Sequence, residues 1–559
     1  MNLIGIAQNP EFWTTVVREK PEYRTYLDAQ LSWWEQYCEN VEIKELTYRD
    51  FKRFFEDGNR GVYEGKYFKR RRALLASATL SMIFPEEEKY LAYLQDIIFA
   101  ICDEYTWCLP AHHPSLEENN NTFIDLFASE TGFALAEVYT LLGDRLDKVI
   151  CERIKHEINY RIITAFINKT NHWWEARCTN NWAAVCGGSV GCTVMLMRPD
   201  LFPTLKPRFD AIMSAYLSGF EDDGYCLEGT HYWHYGFGFF TVYADMVKTF
   251  TDGEVNYFNE EKVRTIATFI QKMFLSGSSA VSFADGSTTL EYQIGLVHYL
   301  KNLYPDDVKV YSPSLSYVST GCARFCLGIR AATWLDPEVY NNPEDSCSAE
   351  YYGASSAWLV KRTADYGFAA KAGNNNEHHN HNDVGAFIFA KGGNQIITDV
   401  GRGVYSKQYF RAETRYQHTE CSSLGHAVPF FGETIQKTGG AYAATDTEHR
   451  EGYFKMDIAG AYGDENVKRV VREFTMDDSG VTLKDSFVYT GTAPITERFT
   501  SNIEPVVNEG KVVIDCAEIV FDKTIVPVVS STELSTKKTL WFVDFVLAPD
   551  TKSFTVTIG

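Results

Sequence analysis

The 559-residue chain lacks any apolar run long and clean enough to suggest a membrane span. Its longest uncharged stretch, residues 179–197, carries two Asn, three Gly and a Ser, and suits a buried helix better. The N-terminal "MNLIGIAQNPEFWTTVVREK" has no basic n-region and only a very short apolar run, so no signal peptide is read there. No long basic run offsets the formal net charge of -21, which argues against general nucleic-acid or anionic-membrane binding. An acidic substrate stays open, because local cations can define a site. "GRGVYSKQYFRAETRYQ" holds Arg402, Lys407, Arg411 and Arg415. The thirteen cysteines, an odd number, show no C-x-x-C pair and no repeated spacing, which points to reduced thiols in a cytoplasmic protein.

What the chain does have is length and aromatic rings. Its length predicts about two to four domains. Hydrophobic content of 45% and charged content of 23% are ordinary for a soluble globular protein. Aromatic content of 14% (33 Tyr, 37 Phe, 11 Trp) implies either a large core or a groove whose walls stack flat rings such as sugars.

Up to about residue 300, apolar residues recur at i, i+3, i+4 and i+7. "YFKRRRALLASATLSMIF", "EEEKYLAYLQDIIFAICDEY", "DLFASETGFALAEVYTLLGDRL", "DKVICERIKHEINYRIITAFI" and "NEEKVRTIATFIQKMFL" each read as a helix. A succession of antiparallel helix pairs fits a bundle, a solenoid or a toroid. After about residue 345 the period becomes two. "SSAWLVKR", "YGFAAKAG", "GAFIFAKGGNQIITDVG", "RVVREFTMDDSGVTLKDSFVY", "KVVIDCAEIVFD" and "TLWFVDFVLAPDTKSFTVTIG" alternate and are broken by GG, DDSG and APD turns, which predicts an antiparallel sandwich. The expected division is therefore multidomain α+β, with a helical domain over 1–345 and a β domain over 346–559. The segment "YSPSLSYVSTGCARFCLGIRAATWLDPEVYNNPEDS" reads as a mixed connector.

Just past that boundary lies "NNNEHHNHNDVGAF", residues 374–387, on a loop entering the strand "VGAFIFAK". In an extended segment His379 and His381 project to one side, where they could share a metal or divide labour. Asp399 follows the apolar run "NQIIT", and His426 lies in "SSLGHAVPFFG". Two His and one Asp with an open fourth position suit zinc. "GYCLEGTHYWHYGFGFF" gathers Tyr225, Glu228, Tyr232, Trp233, His234 and Tyr235, the residue types a proton-transfer site in a sugar groove needs. In "CTNNWAAVCGG", one of Asn180 and Asn181 is read as a helix cap, which leaves the other amide for a ligand. "WCLPAHHPSL" puts His112 and His113 near Trp107 on an inter-helix loop.

A helical half followed by a β half that opens with H-x-H-x-D-x-G-x-F, then Asp at a strand end and "GHAVPFFG", resembles the heparinase II/III-like polysaccharide lyases. "NNW" and "EGTHYWHYG" fit the same family, so the resemblance spans nearly the whole chain. It implies an N-terminal (α/α) toroid of antiparallel helix pairs, a C-terminal antiparallel β-sandwich, and a groove for an acidic polysaccharide or oligosaccharide cleaved by β-elimination at a uronic acid. By position, His379 matches the catalytic histidine, and His381, Asp399 and His426 match the ligands of one zinc ion, read as structural. Tyr232 best matches the catalytic tyrosine, with Tyr235 kept as an alternative. The Asn180–Asn181 pair matches the amide that neutralises the substrate carboxylate, with Asn181 favoured. His112, Glu228, Trp233, His234, Arg402, Arg411 and Arg415 complete the candidate substrate contacts. The tyrosine motif of the family often reads G-P-x-Y-H, whereas this chain has Thr230 for Pro and Trp233 for His. The uronate polymer and the oligomeric state, a homo-oligomer included, are left open. Three rival readings also stand: a dinuclear metal-dependent hydrolase, a glycoside hydrolase using Glu228 with Asp125, and a carbohydrate-binding protein without turnover.

Overall fold

The computed structural model describes residues 2–117, 119–175, 177–289, 293–311, 322–345 and 348–559. Residues 312–321 of the expected connector, and 346–347 at the expected domain boundary, lie outside the described residues. The chain forms two compact units. One comprises Met1–Gly219, His234–Arg264 and Tyr292–Glu344; the other comprises Phe220–Trp233, Thr265–Glu291 and Asp345–Gly559.

The first unit is helical. Gly61–Ile83 packs against Arg24–Tyr37 and Glu88–Cys102, and Leu126–Leu142 packs against Gly188–Met197. Residues 73–83 of the long helix are buried on all sides, which is why its apolar pattern there is continuous rather than one-faced. The helix Leu126–Leu142 starts at Asp125, whose carboxylate accepts from the Ala128 amide at 2.7 Å. The uncharged stretch 179–197 is a buried π-helical turn, Ala183–Gly187, running into the helix Gly188–Met197. No described helix is long and apolar enough to cross a membrane.

The second unit is built of antiparallel sheets. In spatial order, the eight-stranded sheet runs Thr445–Arg450, Tyr453–Asp457, Val467–Met476, Val481–Tyr489, Ser553–Ile558, Ala517–Phe521, Lys511–Ile514 and Val506–Asn508. A four-stranded sheet holds Val528–Glu533, Thr539–Leu547, Ile495–Ser501 and Pro429–Phe431. A five-stranded sheet holds Ala349–Gly353, Trp358–Arg362, Tyr366–Lys371, Phe387–Lys391 and Asn394–Ile397. One core joins all three: Phe368 packs on Phe474 with ring centroids 5.1 Å apart, and Phe387 packs on Phe499 at 5.4 Å. Alternation along Val481–Tyr489 places Val481, Leu483, Asp485 and Phe487 inward, and the inward Asp485 is neutralised by Arg472 at 2.6 Å.

One element departs from the sequence expectation. "NEEKVRTIATFIQKMFL" is not one helix: Glu261–Ala267 and Phe269–Lys272 are short helices, and Phe274–Ser276 is a strand paired with Ser279–Ala280. The chain turns at Gly277 (φ +56°), and Leu275 lies so close to Gly367 that a Cβ there would come within 2.3 Å of the Leu275 carbonyl oxygen. Sheet packing thus overrides the helical period. "KVVIDCAEIVFD" forms a hairpin, turning at Asp515 in the left-handed region (φ 51°).

Candidate active site

The loop between Tyr366–Lys371 and Phe387–Lys391 carries the histidine cluster. It is closed by Lys371, whose wholly buried ammonium reaches Glu377 Oε2 at 3.1 Å and Asp383 Oδ1 at 2.8 Å. The aspartate of H-x-H-x-D is therefore spent on an ion pair. His379 is not extended: its φ of 57° places it in the left-handed region. His379 and His381 do converge, but on the two oxygens of one carboxylate, that of Asp285. His379 Nδ1 stands 2.5 Å from Oδ2 and His381 Nε2 stands 3.1 Å from Oδ1.

Asp285 is the hub of the site. Tyr405 donates its hydroxyl to Oδ2 at 2.9 Å, Tyr409 donates to Oδ1 at 2.6 Å, and the Arg415 guanidinium lies 3.6 Å from Oδ1. Burial works against charge there, yet hydrogen bonds from His379 and His381 hold the carboxyl well below its ordinary range, so it is an anion. A carboxylate only accepts, so His379 carries a proton on Nδ1. Its Nε2 lies 3.7 Å from Glu228 Oε2.

Tyr232 lies against His379, ring centroids 4.1 Å apart and planes at 24°, and its hydroxyl is 2.5 Å from that of Tyr405. Burial first, and the nearby Asp285 charge second, push the Tyr232 hydroxyl far above the usual phenol range. Burial and neighbouring Tyr232 and Asp285 do the same to Tyr405. Both phenols are thus neutral proton donors at physiological pH. Glycine backbone makes this convergence sterically feasible: a Cβ at Gly229 (φ +103°) would approach Gly286 N to 3.1 Å, and one at Gly401 (φ +63°) would approach Gly286 O to 2.4 Å. Three turns meet at Gly286, bringing Tyr232, Asp285 and Asp399 into one neighbourhood.

His381, Asp399 and His426 offer ligand atoms that all lie within 4.8 Å of one another, and all three are buried. His426 Nδ1 is 2.8 Å from Asp399 Oδ2, and its Nε2 is 3.0 Å from the Glu420 carbonyl. Because His381 uses Nε2–H on Asp285, its Nδ1 faces inward with no hydrogen-bond partner. Burial disfavours a charged ring at His381, but the interactions with Asp285 and with Cys421 outweigh it and raise this histidine to about 10, so a cation at Nδ1 would have to displace a proton. A buried, orphaned nitrogen beside a carboxylate and a second imidazole fits a divalent cation, with Asp285 as the outer carboxylate that orients the ligand.

The remaining sequence candidates separate into distinct roles. In the helical unit, Asn180 caps: its Oδ1 accepts the Trp182 amide at 3.1 Å, while Asn181 is buried beside Gly236. Tyr235 donates to Glu130 Oε1 and lies under Arg324, whose guanidinium carbon is 3.2 Å from the ring centroid; Arg324 also bonds Glu130 at 2.5 Å. Burial raises the Tyr235 hydroxyl well above the ordinary phenol range. His112 Nδ1 is 2.7 Å from Asp125 Oδ2, with its ring 4.8 Å from Trp182; His234 is buried. Arg402 and Arg411 are exposed.

Two expected substrate contacts are engaged inside the fold. Trp233 is wholly buried and donates its indole N–H to the Ile266 carbonyl at 2.9 Å, so it packs a core and offers no face to a ligand. Arg415 is also inside, committed to the Asn380 and Tyr409 carbonyls at 3.1 and 3.3 Å and flanking Asp285. Sequence reading missed Asp285, Tyr405 and Tyr409. Asp285 sits in "SFADGST", where only the Asp-Gly turn pair marks it; the two tyrosines lie within the basic stretch that was read for its cations.

No known family profile and no curated protein matches the sequence. Solved structures do match over nearly the full length. A mutant heparan sulfate lyase from Pedobacter heparinus is 11% identical, with a TM-score of 0.61 over 97% of this chain and 83% of that one. Heparinase III is 12% identical, with a TM-score of 0.60 over 100% and 93%. Chondroitin AC lyase from Streptomyces coelicolor, solved with chondroitin sulphate, is 9% identical, with a TM-score of 0.57 over 100% and 82%. The helix-rich chain with its antiparallel sheets has the fold of the heparinase III and chondroitin AC lyase structures, the polysaccharide-lyase fold that the sequence motifs resemble.

Proposed function

We propose that the protein is a lyase for uronate-containing acidic polysaccharides or oligosaccharides, of glycosaminoglycan or alginate type. It cleaves by β-elimination and leaves an unsaturated uronate end. The arrangement of the helical unit as an (α/α) toroid, of the sheets as a β-sandwich, and a cytoplasmic location belong to the same proposal. The observation that carries it is the stacked pair His379–Tyr232, a base and an acid wired to one carboxylate. The enzymes with similar structures are named for heparan sulfate, heparin and chondroitin, which supports the substrate class.

The uronate C5 proton is barely acidic beside a charged carboxylate. His379 Nε2, held by the bond from Nδ1 to Asp285, takes that proton as electron density moves toward the carboxylate. The C4–O4 bond then breaks, and the Tyr232 phenol gives its proton to the leaving oxygen. Tyr405 orders the Tyr232 hydroxyl by its hydrogen bond. After the products leave, the proton taken up by His379 goes to solvent while Tyr232 regains one from solvent, which restores both groups. His381, Asp399 and His426 would hold one zinc ion, whose charge fixes the loop that carries His379.

Two rival readings find their residues otherwise engaged. A dinuclear site needs the aspartate of H-x-H-x-D, and Asp383 is paired with Lys371 at 2.8 Å. A glycoside hydrolase using Asp125 needs a carboxyl free to act; this one caps a helix and holds His112. The test is ultraviolet absorbance of the unsaturated product with a panel of glycosaminoglycans, alginates and their oligosaccharides. A rise with one substrate that Tyr232→Phe or His379→Ala abolishes supports the reading; reducing ends without absorbance overturn it.

A further inference from the structure

The helical unit contains a cavity of about 290 Å³ between residues 120–123 and the segment Asn159–Asn168. Its walls include Asn120, Thr122, Phe123, Tyr160, Thr164 and Lys169. Three features set it apart from an incidental surface dent. Tyr160 and Thr164 belong to a π-helical turn, Asn159–Thr164, which interrupts the helical run between Lys148–Ile158 and Ala165–Asn168; such widened turns recur at functional sites. Tyr160 is 44% exposed as a residue, with its hydroxyl donating to Asn121 Oδ1 at 3.3 Å. The Lys169 ammonium lies 5.4 Å from the Phe123 ring centroid and has no carboxylate within 4 Å among the described residues, although the chain has a net charge of -21. Its neighbour Arg208, by contrast, is paired with Glu175 at 2.6 Å.

We propose that this cavity is a second carbohydrate site, taking one acidic sugar residue. A pyranose has an apolar C–H face for the Tyr160 and Phe123 rings and a rim of hydroxyls for the Asn120 amide and the Thr122 and Thr164 hydroxyls. A carboxylate on that ring supplies an anion to Lys169, which has none within 4 Å among the described residues. The volume sits at the lower end of the small-ligand range, which suits a single ring rather than a chain segment. The charge of Lys169 is felt inside the cavity: burial first, and Lys169 second, push the adjacent His172 down to about 4, so that residue stays neutral and does not compete for the anion. The choice of a sugar acid rests on the lyase reading, whereas the site itself does not.

The test uses the intact chain, glucuronate, glucose and inorganic sulfate. Hydrogen exchange is followed in peptides covering residues 159–172, and affinity is measured by saturation-transfer NMR. Glucuronate is expected to slow exchange in that segment, with glucose binding about tenfold more weakly and sulfate giving no protection. Lys169→Met, at an exposed position, is expected to weaken glucuronate about tenfold, the scale of one charge-assisted contact. Protection absent with glucuronate, or unchanged in Lys169→Met, overturns the proposal. Lyase activity without protection of 159–172 removes this site alone, and protection without any lyase activity removes the lyase reading alone.

Discussion

The phenol ring of Tyr232 lies flat against the imidazole of His379, ring centroids 4.1 Å apart. The two side chains come from segments far apart in the chain, and each reaches Asp285, His379 directly and Tyr232 through Tyr405. Removing the shared carboxylate should therefore disable the base without emptying the site. Asp285→Asn is expected to lower kcat about 100-fold or more with KM little changed, and Tyr405→Phe to lower kcat by less. Steady-state kinetics decide it: a loss confined to KM would mean that Asp285 serves binding.

The orphaned His381 Nδ1 predicts one divalent ion per chain. Chelation should lower the Tm, and His426→Ala should abolish the metal content and the chelator effect together. Metal analysis and thermal denaturation check this independently of turnover. A chain that binds no zinc and melts identically with and without chelator contradicts it.

Arg472 is wholly buried and holds four partners at once: Asp485 at 2.6 Å, Glu497 at 2.9 Å, and the carbonyls of Gly385 and Ala427 at 2.9 and 2.8 Å. Gly385 ends the histidine loop and Ala427 follows His426, so one guanidinium braces the segments that carry His381 and His426. Arg472→Met leaves two carboxyls in the core without their cation, and is expected to cost about 3–5 kcal/mol in denaturant unfolding. A change below 1 kcal/mol would mean that the network contributes little.

Two buried histidines of the helical unit make it sensitive to acid. Burial pushes both His172 and His298 down to about 4 from an ordinary value near 6.5. Between those values the unfolded chain takes up protons that the folded chain refuses, so stability falls as pH drops through that window. His298→Gln removes one such group and should flatten the fall in Tm between pH 7 and 4.5, by up to about 3 kcal/mol of protection. Parallel Tm curves for variant and wild type would show that His298 is already charged in the folded state.

How much of this was written locally in the sequence differs from residue to residue. The change of period from 3.6 to 2 near residue 345 is a local property, and the helices and strands follow it. His379, His381, Asp399 and His426 were legible because three histidines, their asparagines and two acids crowd one loop, with the other ligand candidates at strand ends. Asp285 was not, because it is a single acid about a hundred residues upstream, and only the packing of Gly229, Gly286 and Gly401 backbones carries it to the loop. Trp233 and Arg415 are the opposite case. Their residue types suit a ligand, but burial is a tertiary property, and both are inside. The tail Phe274–Leu275 completes a helical period in sequence but lies in a strand, through the turn at Gly277 and the closeness of Leu275 to Gly367.

The central claim is that the glycosidic bond breaks by elimination at the pair His379–Tyr232. Cleavage of an active uronate oligosaccharide in heavy-oxygen water, read by product mass, tests it most directly. The account predicts one product lighter by a water than its hydrolytic counterpart, no heavy oxygen in either product, and loss of both products in Tyr232→Phe. Heavy oxygen at a new reducing end would show that water attacks the bond, and would contradict it.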